Sequence, residues 1–230
     1  MGDHKIFYLK ESKMRSLIIE EQKKQLRLNS IQREIIIGKL LGDGHLETQN
    51  NGKTYRLKIE HSYSQKNYVD WIYVNFQSWV LTPPKIKLKQ INDKTVKNYF
   101  FQTVSHPAFR YYAQQFYRDK KKIIPKSIHK MLKPRSLAIW FMDDGSLKSK
   151  NHRALILNTQ GFNMKDLIYL QKAFQIFHHI STSFRYQQDG IQLMINEPSA
   201  TRFYQIIKPY LLADFHYKLG KIGLTNLPKE

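Results

Sequence analysis

Two apolar runs in this chain stop abruptly on acidic residues and a glycine. They are Ile36-Ile37-Gly38-Lys39-Leu40-Leu41-Gly42-Asp43-Gly44 and Leu137-Ala138-Ile139-Trp140-Phe141-Met142-Asp143-Asp144-Gly145. Each is apolar nearly all round and long enough for two to three turns, which predicts a buried helix. Asn29 or Ser30 suits the first N-cap, with Gln32 placed for a capping box. Pro134 opens the second helix where a missing N–H costs nothing. Gly44 and Gly145 fit the left-handed residue that ends many helices.

After the first run comes a polar loop through Asn50-Asn51-Gly52, then an alternation over Tyr55–Glu60 that predicts a strand. Tyr55, Leu57 and Ile59 point inward, and Arg56 and Lys58 outward. Residues 67–81 carry Tyr68, Ile72, Phe76, Trp79 and Val80 at helical spacing, so these aromatics are read as core. Thr82-Pro83-Pro84 ends that helix. A second alternation follows, with Lys85, Lys87 and Lys89 on one face and Ile86 and Leu88 on the other. A turn at Asn92-Asp93 returns the chain through Tyr99 to Thr103, and Pro107 opens a helix ending near Tyr117.

The order then repeats. A strand from Arg153 to Asn158 follows the second run. Next comes a helix striped by Leu167, Leu170, Phe174 and Phe177, then a hairpin turning at Gln188-Asp189-Gly190. Pro198 opens a last helix toward Tyr210. Each half therefore reads α-β-β-α-β-β-α, an α+β pseudo-twofold repeat. We expect an arm over 1–28, repeats over 29–118 and 128–230, and a connector over 119–127.

Charge narrows the possible partners. The chain has 230 residues, 38 Lys+Arg against 18 Asp+Glu and a formal net charge of +20. That excess implies a polyanion, nucleic acid first and an anionic membrane surface second. No run is long and uncharged enough to span a membrane or read as a cleavable signal. Cysteine is absent, which excludes disulfides and thiolate metal sites and fits a reducing intracellular compartment. A two-stranded ribbon with a lysine ladder suits a major groove.

The candidate chemistry lies at the ends of the two runs. Asp43 and Asp144 are 101 positions apart and fall at helix C-termini, where a carboxylate is disfavoured by roughly 0.3–1 kcal/mol. If the helices pack side by side the charges also repel, and a bound cation relieves both costs. Carboxylate and carbonyl oxygens suit Mg²⁺ rather than zinc. A histidine-built metallonuclease is disfavoured, because His45, His61, His178 and His179 show no convincing ligand spacing.

Both runs match the nine-residue motif of the LAGLIDADG homing endonucleases, and residues 30–220 resemble that family in its single-chain, two-motif form. The resemblance implies motif helices packed at the centre of a monomer and two antiparallel sheets forming a saddle over double-stranded DNA. It implies catalytic, metal-binding aspartates at Asp43 and Asp144, with the carbonyls of Gly42 and Asp143 as auxiliary ligands. It also implies paired basic active-site residues at Lys122 and Lys218, which follow their aspartates by 79 and 74 positions. The expected cofactor is Mg²⁺, two or more ions, with Mn²⁺ substituting and Ca²⁺ supporting binding only. Outward residues Arg56, Lys58, Lys85, Lys87, Lys89, Arg153, Arg185, Gln187 and Gln192 are the expected DNA contacts.

One departure from the family pattern concerns helix packing. Small residues belong where the motif helices touch, and the first has Gly38 and Gly42. The second has Ile139 and Asp143 at the equivalent positions. The expected activity is metal-dependent hydrolysis of both strands at a long asymmetric site, leaving 3′ overhangs, in the compartment holding the target DNA. The alternative is a non-cleaving intron RNA maturase or DNA-binding regulator on the same scaffold, with intron RNA as partner.

Overall fold

The computed structural model describes residues 14, 16–149 and 152–220, so residues 1–13 and 15 of the arm lie outside it. Residues 16–25 are helical. The first repeat then runs α1 (Ser30–Leu41), β1 (His45–Glu47), β2 (Arg56–Ser62), α2 (Lys66–Phe76), β3 (Lys85–Ile91), β4 (Lys94–Gln102) and α3 (Arg110–Phe116). A short hairpin follows, β5 (Tyr117–Arg118) and β6 (Lys121–Lys122), and then α4 (Ile128–Met131). The second repeat runs α5 (Pro134–Asp144), β7 (Gly145–Leu147), β8 (Leu155–Leu157), α6 (Met164–His178), β9 (Thr182–Gln187), β10 (Gly190–Ile195) and α7 (Glu197–Ile207). A 3-10 segment, Ala213–Leu219, closes the described chain.

Each repeat thus has the expected α-β-β-α-β-β-α order. Its four-stranded antiparallel sheet has the order β1-β2-β4-β3 in the first half and β7-β8-β10-β9 in the second. The strands β1 and β7 complete the count. At three residues each they are too short to show an alternation, and the sequence pattern marks no strand at either place.

Local chemistry explains the helix boundaries. Asn29 caps α1 through a capping box in which its side chain accepts from the Gln32 N–H and Gln32 accepts from the Asn29 N–H. Pro134 sits in the first turn of α5. Asn92 and Asp93 both have positive φ, the geometry a tight two-residue hairpin between β3 and β4 requires.

Gly44 and Gly145 correct an expectation, since neither is left-handed; Gly145 has φ −77° and ψ 146°. Their requirement is steric. A Cβ on Gly145 would enter the Phe141 ring, and one on Gly44 would lie 2.7 Å from Lys39 Cβ.

Helices α1 and α5 pack along their lengths at the centre of one contiguous core, which includes Ile35, Ile36, Leu40, Leu137, Trp140 and Phe141. The interlock resolves the departure in the small-residue pattern. A methyl group on Gly38 would sit 2.7 Å from Ile139 Cβ, and one on Gly42 would collide with the Asp143 side chain. Each bulky residue of α5 fills the hollow left by a glycine of α1, so one glycine per contact suffices.

Of the aromatics read as core, Tyr68 and Phe76 on α2 and Trp79 in the 3-10 turn that follows are buried. Phe177 is not; it is 53% exposed and stacks on His129, so the buried stripe of α6 ends at Phe174. Ile86 and Leu88 on the edge strand β3 are also exposed. Among the described residues, no helix is long and apolar enough to cross a membrane.

Candidate functional site at the junction of the motif helices

Cross-strand pairing sorts the sheet residues by face. In the first sheet Lys58 pairs with Gln102, Glu60 with Phe100, Lys85 with Phe100 and Lys87 with Asn98. Arg56, Lys58, Lys85, Lys87 and Lys89 therefore share one face, opposite the buried Leu57 and Ile59. In the second sheet Arg185 pairs with Gln192 and Gln187 with Gly190, opposite the buried Leu193 and Ile195. Arg153 stands apart: it is exposed but lies before β8, in irregular chain.

The cationic face of the first sheet holds two internal carboxylates. Arg56 places Nε and Nη2 on Glu47 Oε2 at 3.1 and 2.9 Å, and Lys58 reaches Oε1 at 3.1 Å. Glu60 takes Lys87 at 3.8 Å, Lys89, and the Asn98 amide at 2.7 Å. Burial works against the charge on Glu47, but hydrogen bonds from His45, Lys58 and Arg56 outweigh it and hold its pKa at about 2.

At the C-terminal ends of α1 and α5 the polar groups converge. Lys122, carried by β6, donates to the Gly42 carbonyl at 2.5 Å. Lys218, in the final 3-10 segment, donates to the carbonyls of Met142 and Asp143 at 2.6 and 3.1 Å. The two lysines thus reach equivalent points of the two motif helices and occupy the carbonyls expected to be auxiliary ligands. Burial lowers the pKa of each, while Asp143, Asp144 and Asp43 pull it back up.

Asp143 and Asp144 are adjacent but differ in environment. The Asp143 carboxylate is 0% exposed and pairs with Lys39, itself 0% exposed, at 2.7 Å. It also accepts from the Tyr68 hydroxyl at 2.9 Å and from the Asp43 main-chain N–H at 2.9 Å. Asp144 has burial and the nearby charges of Asp143 and Asp43 acting on it, and together they push its pKa up to about 7. The Asp43 side chain is 50% exposed.

His61, set aside in the sequence for want of a ligand spacing, belongs to this cluster, as does Lys39, which the sequence does not single out. The histidine lies on β2 with Nε2 2.6 Å from Lys39 Nζ and Nδ1 3.7 Å from Asp43 Oδ2. Burial and the Lys39 charge lower its pKa to about 3, so the ring is neutral. An ammonium only donates, so Nε2 accepts and Nδ1–H faces Asp43. A signal was present, because the inward parity of Leu57 and Ile59 continues to His61 and puts a polar ring on an apolar face.

Asp43, His61 and Asp143 each place a ligand atom within 4.8 Å of the others. Lys39 already neutralises Asp143, whereas Asp43 and Asp144 have no ammonium partner among the ion pairs of the described residues. A divalent cation fits this donor set. It meets oxygens rather than sulfur, and it offsets the repulsion that raises Asp144.

Comparison with known proteins bears on the family and the fold. The sequence model of the LAGLIDADG DNA endonuclease family matches residues 33–203. The chain is 30% identical over 211 residues to DNA endonuclease I-ChuI of Chlamydomonas applanata, covering 85% of this chain and 97% of that protein. It is 30% identical over 199 residues to cytochrome b mRNA maturase bI2 of Saccharomyces cerevisiae, covering 81% of this chain and 46% of that protein. Among solved structures it matches the homing endonuclease I-WcaI bound to its DNA recognition sequence. That match has a TM-score of 0.83 at 30% identity and covers 87% of this chain and 91% of that one.

Proposed function

The chain belongs to the LAGLIDADG DNA endonuclease family, and from that membership we propose a site-specific homing endonuclease that hydrolyses both strands of a long asymmetric duplex, leaving short 3′ overhangs. In this reading the arm is 1–28, the repeats are 29–118 and 128–230, 119–127 joins them, and the protein acts as a monomer in the compartment that holds its target. The observation that carries the proposal is the convergence of Asp43 and Asp144 with Lys122 and Lys218 where the two motif helices end.

Asp43 and Asp144 hold the divalent ions, Mg²⁺ in the first instance. When bound, such ions supply a water acidic enough to attack at neutral pH and positive charge for the departing 3′ oxygen. Lys122 and Lys218 orient the helix-end carbonyls and place ammonium groups near the scissile phosphates, where negative charge develops. Arg56, Lys58 and the ladder of Lys85, Lys87 and Lys89 contact one half-site; Arg185, Gln187 and Gln192 contact the other. Phosphate contacts fix the register, and base edges together with DNA deformability select the sequence.

Cleavage of a randomised plasmid library with Mg²⁺, repeated with Ca²⁺, tests the proposal. Cutting at one long site with Mg²⁺ only is expected. Asp43→Asn and Asp144→Asn are each expected to abolish double-strand cleavage while DNA binding persists; loss of binding with both would make the aspartates structural. A maturase reading draws support from the likeness to cytochrome b mRNA maturase bI2. Tight binding of a structured intron RNA, with no cleavage of any library member, would favour it.

A further inference from the structure

The two halves of the catalytic centre are built from different chemistry. Motif alignment makes Lys39 equivalent to Trp140 and Gly42 equivalent to Asp143. Strand register supplies a third equivalence. His45 pairs with Lys58 and Ser146 with Ile156, so three residues further along each chain His61, within β2, corresponds to Thr159, two residues past the end of β8. Thr159 is buried and its hydroxyl donates to the Ile191 carbonyl at 2.7 Å. Lys39, His61 and Asp143 thus form a continuous polar chain against Asp43, whereas the equivalent positions around Asp144 hold an indole whose N–H eases the Asp144 charge, a threonine bonded to main chain and a glycine.

The link is also one-directional. Asp143 Oδ2 accepts the main-chain N–H of Asp43 at 2.9 Å. Gly42 has no side chain with which to return that bond to Asp144. His61 presents its other ring nitrogen to Asp43 Oδ2 at 3.7 Å, and Lys39 ties the ring to Asp143. The main chain of Asp43 is therefore held by this network, and its carboxylate faces the His61 ring.

We propose that Lys39, His61 and Asp143 are positioning residues for Asp43 alone, so that the two target strands are cut by unequal half-sites and loss of the network turns the enzyme toward nicking a single strand. This rests on the endonuclease reading. A residue needed only for folding would slow both strands together, because the half-sites share one core.

Two variants break the network differently. His61→Ala removes the ring. Lys39→Met with Asp143→Leu replaces the buried ion pair by apolar groups, a change buried pairs often tolerate because no lone charge remains. Thr159→Val is the control in the second half. On a supercoiled plasmid carrying the selected site, both network variants are expected to accumulate open circles nicked in one strand. The ratio of strand rates should change at least tenfold, with the control matching wild type.

The second measurement needs no DNA: Tb³⁺, a hard oxygen-seeking stand-in, titrated into the free protein and read by luminescence. Apparent affinity should fall about tenfold in the network variants and stay unchanged in Thr159→Val. Wild-type cleavage with an unaltered strand ratio and unaltered Tb³⁺ affinity in both network variants overturns the positioning role. Absence of wild-type cleavage, with the Tb³⁺ shift present, counts against the endonuclease reading and supports the network.

Discussion

Gly38 and Ile139 meet so closely across the two motif helices that a methyl group on Gly38 would lie 2.7 Å from Ile139 Cβ and 2.7 Å from the Ser136 carbonyl. The second neighbour is main chain, so a rotamer change cannot make the room.

Gly38→Ala is therefore expected to destabilise the fold despite alanine's better helix propensity. Overpacking costs roughly 1–3 kcal/mol and the propensity gain returns at most about 1 kcal/mol. Thermal unfolding should show a Tm lowered by several degrees. Adding Ile139→Val should restore little, because the Cβ and Cγ2 that crowd the new methyl group both remain and Ser136 stays in place. An unchanged or raised Tm would mean that the helices are not in contact there.

Asp144 gives the metal-free protein a distinctive pH dependence. Its folded pKa of about 7 lies above the ordinary 3.8, so between those values the folded state binds the extra proton. Stability is highest below the lower value and falls as pH rises through the upper one. The upper bound is about 4 kcal/mol at roughly 1.36 kcal/mol per pH unit. His61 acts oppositely, since a pKa lowered to about 3 favours folding above 6.5 and loses that advantage as pH falls toward 3.

Denaturant melts at pH 5.5 and 8, compared between wild type and Asp144→Asn, isolate the first effect. The wild type should lose more stability at pH 8 than the variant does. Adding Ca²⁺ at pH 8 should recover it in the wild type only. Parallel pH profiles would place the Asp144 carboxyl in water.

Lys122→Met and Lys218→Met should each lower the single-turnover cleavage rate by roughly 10²–10³, with DNA affinity changed only a few-fold. Rapid-quench kinetics at saturating enzyme separates the two quantities. A normal rate with weakened, less salt-sensitive binding would reduce both lysines to phosphate contacts.

Glu47 lies on the cationic face of the first sheet and holds Arg56 and Lys58. Glu47→Gln frees both cations. Affinity for non-specific duplex at low salt should rise several-fold, and the slope of log K against log salt should steepen by about 1. Discrimination between target and competitor DNA should fall, because the guanidinium of Arg56 loses the carboxylate that fixes its plane. Fluorescence anisotropy over a salt series measures both, and an unaltered slope would show the pairs open in solution.

Much of this architecture was legible because its signals are periodic. Asn29 with Gln32, Pro134, and the alternation over Lys85–Lys89 each state a local preference that the tertiary structure keeps. The short strands His45–Glu47 and Gly145–Leu147 were not, since three residues carry no period. Lys39 was hidden inside an apolar run, where its partner Asp143 lies 104 positions away and only folding brings the pair together. His61 was half visible through its parity. The lysines at Gly42 and Met142 came from family resemblance, because no spacing rule connects β6 or a terminal 3-10 segment to a helix end.

The glycine-to-bulk interlock of α1 and α5 also bears on ancestry and engineering. At the present helix spacing, two copies of the first half would leave the hollows at Gly38 and Gly42 unfilled. Two copies of the second would drive Ile139 into Ile139 and bury a pair of like-charged Asp143 side chains with no ammonium between them. Neither half of this chain is a viable self-partner, so a symmetric homodimer carved from it needs its seam redesigned first.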